Sequence, residues 1–168
     1  MSDLLDYSLM VAPNGARRTT RDHPRLPVTA MTLAETAGAC QAAGATSIHV
    51  HVRDGQERHS LDAGRYREAI AAIAEYAPGL GVQITTESAG LYQPAEQLAC
   101  LTNLRPGAAS IAVREMAADP SIAKTTYAFA HEASIEVQHI VYTPGCISQL
   151  LAWREAGLVR PEQCRVLV

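Results

Sequence analysis

Thr46-Ser47-Ile48-His49-Val50-His51-Val52 is the stretch that organises the rest of the chain. It is β-branched and alternates strictly, which predicts a strand with Ile48, Val50 and Val52 on one face and His49 and His51 on the other. Helical segments flank it. One is expected from Thr29 or Thr32 to about Ala43 with Gly44 as its stop, the other from Leu61 to Tyr76 between Asp62 and Pro78-Gly79. Working outward, the same unit recurs. Strands are expected over 8–12, 81–86, 108–113, 134–141 and 165–168, with helices over 94–104, from Asp119-Pro120 to about Ala133, and from about Ile147 to Ala156.

Strand and helix alternating on short connections predict a parallel sheet covered by helices. Two architectures meet that description, an open doubly wound sheet and a (β/α)8 barrel. The expected elements are six strands and five helices in 168 residues. A barrel uses eight of each in ~250 residues, so length alone favours the open sheet, and a barrel requires the chain to be incomplete. The first strand-to-helix turn, Ala12-Pro13-Asn14-Gly15-Ala16, lacks the Gly-rich phosphate pattern that open sheets often carry there. No linker or composition shift divides the chain, so residues 1–168 read as one domain.

Composition excludes several function classes. The net charge is −3, and no Lys/Arg block is present, which argues against nucleic-acid or membrane-surface binding. No apolar run approaches the ~20 residues of a membrane span. The acidic opening Met1-Ser2-Asp3-Leu4-Leu5-Asp6-Tyr7 is unlike a secretory signal, so a cytoplasmic protein is expected. Cys40, Cys100, Cys146 and Cys164 form no C-x-x-C pair and are expected to be buried, reduced thiols.

His49 and His51 carry the clearest chemical signal. At i and i+2 on a strand their Cα atoms are roughly 6.5 Å apart, and the imidazoles can converge on one cation. They lie near the C-terminal end of their strand, where parallel α/β proteins build their sites. A lone strand histidine is ordinarily a core or surface residue, and a catalytic zinc wants three protein ligands. His139, on a strand, is the strongest third candidate. His59 is expected to be exposed in a loop, and a helix C-terminus accounts for His131. The Asn14–Arg18 loop offers guanidinium groups to an anion. Thr85-Thr86-Glu87-Ser88-Ala89-Gly90 offers hydroxyls at a strand end, or only a helix cap. Glu136, on a strand expected to be buried, calls for a partner.

Four segments together resemble the β-keto acid cleavage enzyme family, whose best-known members are the 3-keto-5-aminohexanoate cleavage enzymes. They are Val11 to Arg18, His49 to Asp54, Gln83 to Glu87 and Val137 to Tyr142. The resemblance runs from about residue 8 to Val168. It implies a (β/α)8 TIM barrel of which this chain holds about the first six strands and five helices. It also implies Zn2+ or another divalent metal, with acetyl-CoA as co-substrate. The implied reaction is a Claisen and retro-Claisen exchange in which a β-keto acid and acetyl-CoA give acetoacetate and a new acyl-CoA. His49 and His51 match the metal ligands. Thr85, Ser110 and Glu136 match substrate-contacting positions, and Asn14, Arg17 and Ser88 lie where the substrate is read. The partners implied are a small β-keto acid and a coenzyme A thioester, in a homo-oligomer.

The departures shape the expectation. Arg17 stands where the aminohexanoate enzymes carry a glutamate suited to an ammonium group, Ser88 where they carry a glycine, and Ala112 where they carry an asparagine. A different β-keto acid, with an anionic group, is therefore expected. The family's third metal ligand, its aspartate base and a neighbouring arginine belong to the last strand, so the catalytic base is expected beyond residue 168. The competing readings are another metal-dependent TIM-barrel hydrolase or lyase, and an inactive truncated barrel.

Overall fold

A computed structural model describes residues 8–168. The acidic opening on which the reading against a secretory signal rests lies outside the described residues. The main sheet contains six parallel strands, β1 (Met10–Val11), β2 (Ser47–Val50), β5 (Gly81–Thr85), β6 (Ala108–Ala112), β7 (Glu136–Ile140) and β8 (Arg165–Leu167), neighbouring one another in chain order. The principal helices between them are α1 (Ala30–Ala42), α2 (Ala63–Tyr76), α3 (Pro94–Leu104), α5 (Pro120–Glu132) and α6 (Pro144–Glu155). A doubly wound sheet reverses its strand order at a switch point. This one does not reverse, so right-handed crossovers put the helices on one face and the sheet curls as a half-barrel. The open-sheet alternative is thereby removed.

The pleat sorts the side chains. Ile48, Val50, Ile84, Ala109, Ile111 and Val137 pack into the helix layer against Leu33, Ala37, Tyr66, Ile73, Leu101 and Tyr127. On the concave face, the register aligns His49 with Gln83, Ala108 and Glu136, and Thr85 with Ser110 and Gln138. A polar layer thus lines the inside of the curve and an apolar layer the outside. Among the described residues, no helix is long and apolar enough to cross a membrane.

A hairpin and a short helix escaped the sequence reading. Val52–Arg53 (β3) pairs antiparallel with His59–Ser60 (β4), making a hairpin where a loop was expected. Its turn closes on the Asp54 side chain, which accepts from the Gln56 and Arg58 amides at 2.8 and 2.9 Å. The segment Val113–Met116 (α4), expected to begin as strand, is a four-residue helix. Elsewhere the ends move by a few residues. The last helix starts at Pro144 rather than about Ile147, because proline is well suited to a first helical turn. The cysteines are all unpaired, but only Cys100 and Cys146 are buried, and Cys164 is exposed.

Candidate active site

His49 ends up half-buried on the concave face, with His51 just beyond β2 and 3% exposed. Their Nε2 atoms are 3.0 Å apart, and their rings meet edge to face. Two Zn–N bonds of ~2.0–2.1 Å at ordinary coordination angles put the nitrogens about 2.9–3.4 Å apart, so this separation suits cis ligands of one ion. On its other side His49 Nδ1 meets Gln83 Oε1 at 2.7 Å, while Gln83 Nε2 donates to Gln138 Oε1 at 3.0 Å. With the Gln83 oxygen turned toward it, His49 Nδ1 carries the proton and Nε2 keeps a lone pair. Burial pushes both histidines down. His51 falls to about 2, with His49, His59 and Arg53 adding to the burial effect. Both rings are therefore neutral near pH 7, the form that binds a metal. The two histidines fit a divalent metal as two of its ligands. Among the described residues, no group of three His, Cys, Asp or Glu side chains converges to complete the set.

The structure corrects the expectations for His139 and His59 and keeps that for His131. His139 faces the helix layer, opposite to His49, because it is offset by an odd number of residues from Glu136 in the His49 register. It is fully buried, donates from Nε2 to the Gln163 carbonyl at 2.9 Å, and accepts at Nδ1 from the Tyr127 hydroxyl at 3.3 Å. It belongs to the core. His59 is 3% exposed rather than solvated, with Nε2 donating to the Glu87 carbonyl at 2.7 Å. Its ring centroid lies 5.2 Å from that of His51. His131 sits in the last turn of α5, 3.1 Å from Glu162, so a carboxylate joins the helix end as its partner.

The other candidates divide into committed groups and open ones. Asn14 is 4% exposed and uses its amide on backbone, donating to the Pro27 and His51 carbonyls and accepting from His51 N. It acts as a strut. Thr85 and Ser110 are fully buried on the concave face. Ser110 Oγ donates to Thr85 Oγ1 at 3.0 Å, and Thr85 Oγ1 also accepts from Glu87 N. Ser88 gives both its amide and its hydroxyl to the Glu115 carboxylate, which Gln97 also contacts at 2.6 Å. Glu136 is exposed rather than buried. Standing first in its strand, it pairs with Arg165 at 2.8 Å and lines a groove of about 330 Å3 with Gln83.

Arg17 remains open, its side chain 67% exposed and 3.4 Å from Glu87. Nearby, the Arg114 guanidinium lies 3.7 Å above the Tyr142 ring. Gln83, Glu87, Arg114, Glu115 and Tyr142 were missed as site residues. Only strand parity offered a signal, and it puts Gln83 on the His49 face. A cavity of about 400 Å3 lies between α1, α2 and the hairpin and contains neither metal-binding candidate.

The chain matches the model of the beta-keto acid cleavage enzyme family over residues 7–168. It belongs to that family. Among curated relatives, it is 33% identical over 104 residues to a 3-oxoadipate:acetyl-CoA acetyltransferase of Cupriavidus necator. That match covers 62% of this chain and 36% of the relative. It is 36% identical over 75 residues to a 3-keto-5-aminohexanoate cleavage enzyme of Fusobacterium nucleatum, covering 45% and 28% of the two chains. The matched stretches thus span roughly a third of each relative's length.

Proposed function

We propose that this protein carries the first part of a metal-dependent β-keto acid cleavage site, exchanging a β-keto acid with acetyl-CoA to give acetoacetate and an acyl-CoA. The observation that carries the proposal is the pair of neutral imidazoles with Nε2 atoms 3.0 Å apart at the C-terminal edge of the sheet. A bound divalent metal supplies Lewis acidity toward a keto carbonyl. His49 and His51 hold it, and Gln83 orients His49 from behind. The buried Ser110–Thr85 hydroxyl pair braces β5 against β6 on the same concave face. Glu115 is committed to Ser88 and Gln97, and Glu87 lies beside the exposed Arg17 at 3.4 Å, so neither is assigned as the base.

Arg17 points the substrate class toward an anionic tail. A guanidinium at an open rim pairs with a carboxylate and repels an ammonium. A β-keto dicarboxylate such as 3-oxoadipate fits better than 3-keto-5-aminohexanoate, and the name of the Cupriavidus relative is in keeping with that choice.

The test has two arms. Metal content is measured on the protein and on the His49→Ala/His51→Ala variant. Bound divalent metal that is lost in the variant is expected, and unchanged content would sink the proposal. Acetoacetate formation from acetyl-CoA is then followed with 3-oxoadipate and with 3-keto-5-aminohexanoate, where a preference for the amino substrate would overturn the assignment of Arg17.

A further inference from the structure

Arg53 follows the two histidines on the hairpin strand β3, and it is only 4% exposed. Its Nη2 sits among three backbone carbonyls of the loop between β1 and α1. It reaches Asn14 O and Arg18 O at 3.4 Å, and also bonds Gly15 O. Among the described residues, the Gly15 and Arg18 carbonyls accept from no other donor. The arginine is itself held in place, since its residue pairs with His59 across the hairpin and its carbonyl accepts from Arg65 at 3.1 Å. Arg17 lies between the clamped carbonyls.

The rest of the loop is tied at its ends. Asn14 is braced on the His51 backbone, and Thr20 gives its amide and hydroxyl to Glu57, each at 2.7 Å. Between these points Arg53 is the link from the loop to the hairpin. Its Nε and Nη1 are buried with no partner. A buried cation left with unpaired nitrogens is a poor stabilising device, because desolvating the charge opposes the gain from its bonds. What the guanidinium adds is one buried nitrogen, Nη2, that reaches three carbonyls of the loop at once, which a methylene stem cannot do.

We propose that Arg53 is a positioning residue that latches the Asn14–Arg18 backbone to the β3–β4 hairpin and fixes the base from which Arg17 meets the anionic end of the substrate. The specificity part of this proposal rests on the assignment of Arg17 above. The latch stands on geometry alone.

Limited trypsinolysis reads the latch directly, because Arg17 and Arg18 are cleavage sites within the loop while Lys124 lies inside α5. Cleavage follows the population of the locally opened form when reclosing is fast. Arg53→Met keeps the stem and removes the donor nitrogen that reaches the three carbonyls. It should speed cleavage after Arg17 and Arg18 at least tenfold relative to cleavage after Lys124, and Arg53→Lys should fall between it and the parent. A purely structural arginine would release all three sites in parallel. Parallel release, or no release, overturns the latch.

Equilibrium binding of 3-oxoadipate is then compared with that of a six-carbon β-keto monoacid. Arg53→Met and Arg17→Ala should each lose most of the preference for the diacid. Loop release with the preference intact in Arg53→Met overturns the role in specificity. A preference unchanged in Arg17→Ala removes the tail assignment itself and leaves the cleavage result to decide the latch.

Discussion

His49 and Gln83 show how one side chain prepares another. The glutamine oxygen accepts from the Nδ1 N–H, so the Nε2 lone pair is available toward His51. Partners of this kind commonly change metal affinity by 10–100-fold. Gln83→Leu should therefore weaken divalent-metal binding by about that factor in competition with a chelator. A loss of under twofold would mean that Gln83 does not set the tautomer. At this scale the histidine pair was legible, because alternation on a strand dictates which side chains share a face. The roles of Arg53, Asn14 and His59 were not. Each depends on a backbone group distant in sequence: Gly15 O for Arg53, Pro27 O for Asn14 and Glu87 O for His59.

Single elements are governed mostly by local chemistry, and most of them could be read. The first helix starts where Thr29 accepts from the Thr32 amide at 3.1 Å and Thr32 Oγ1 accepts in return from the Thr29 amide at 3.0 Å. Thr29→Ala removes this reciprocal cap and should cost about 1 kcal/mol. The midpoint of urea unfolding checks this, and an unchanged midpoint would deny the cap its role. The hairpin of residues 52–60 went unread for a different reason. Its strands are two residues each, too short for periodicity, and Glu57 adopts a left-handed backbone at φ 60° that the amino-acid type does not announce. That hairpin brings His59 beside His51 and holds Arg53 under the loop. A segment with little local signal thus supports much of the site.

At the scale of the whole molecule, the curved sheet separates two histidine environments. His139 lies in the outer core, and burial lowers its pKa from the ordinary 6.5, with its bond to the Gln163 carbonyl acting in opposition. The unfolded chain therefore takes up a proton at a higher pH than the folded one. Stability is fully kept above about pH 6.5 and declines as the pH falls toward the depressed folded value. Denaturant midpoints at pH 7.5 and 5 should show this loss, and His139→Phe should flatten the slope even though it leaves Tyr127 without its acceptor. An equal slope in the variant would assign the acid sensitivity to other groups.

The sequence by itself determined the alternation of strand and helix, the pairing of His49 with His51 on one face, and the family. These follow from periodicity, local caps and short motifs that need no distant partner. Tertiary structure alone decided that the strands follow one another without reversal and that His139 and His49 occupy opposite sides of the sheet. It also decided that Glu136 is exposed and that Arg53 reaches three carbonyls of the loop bearing Arg17. The physical reason is common to all four. Strand order, face and burial are relations between segments far apart in the chain, and they acquire values only when the sheet closes its register and the helices cover it.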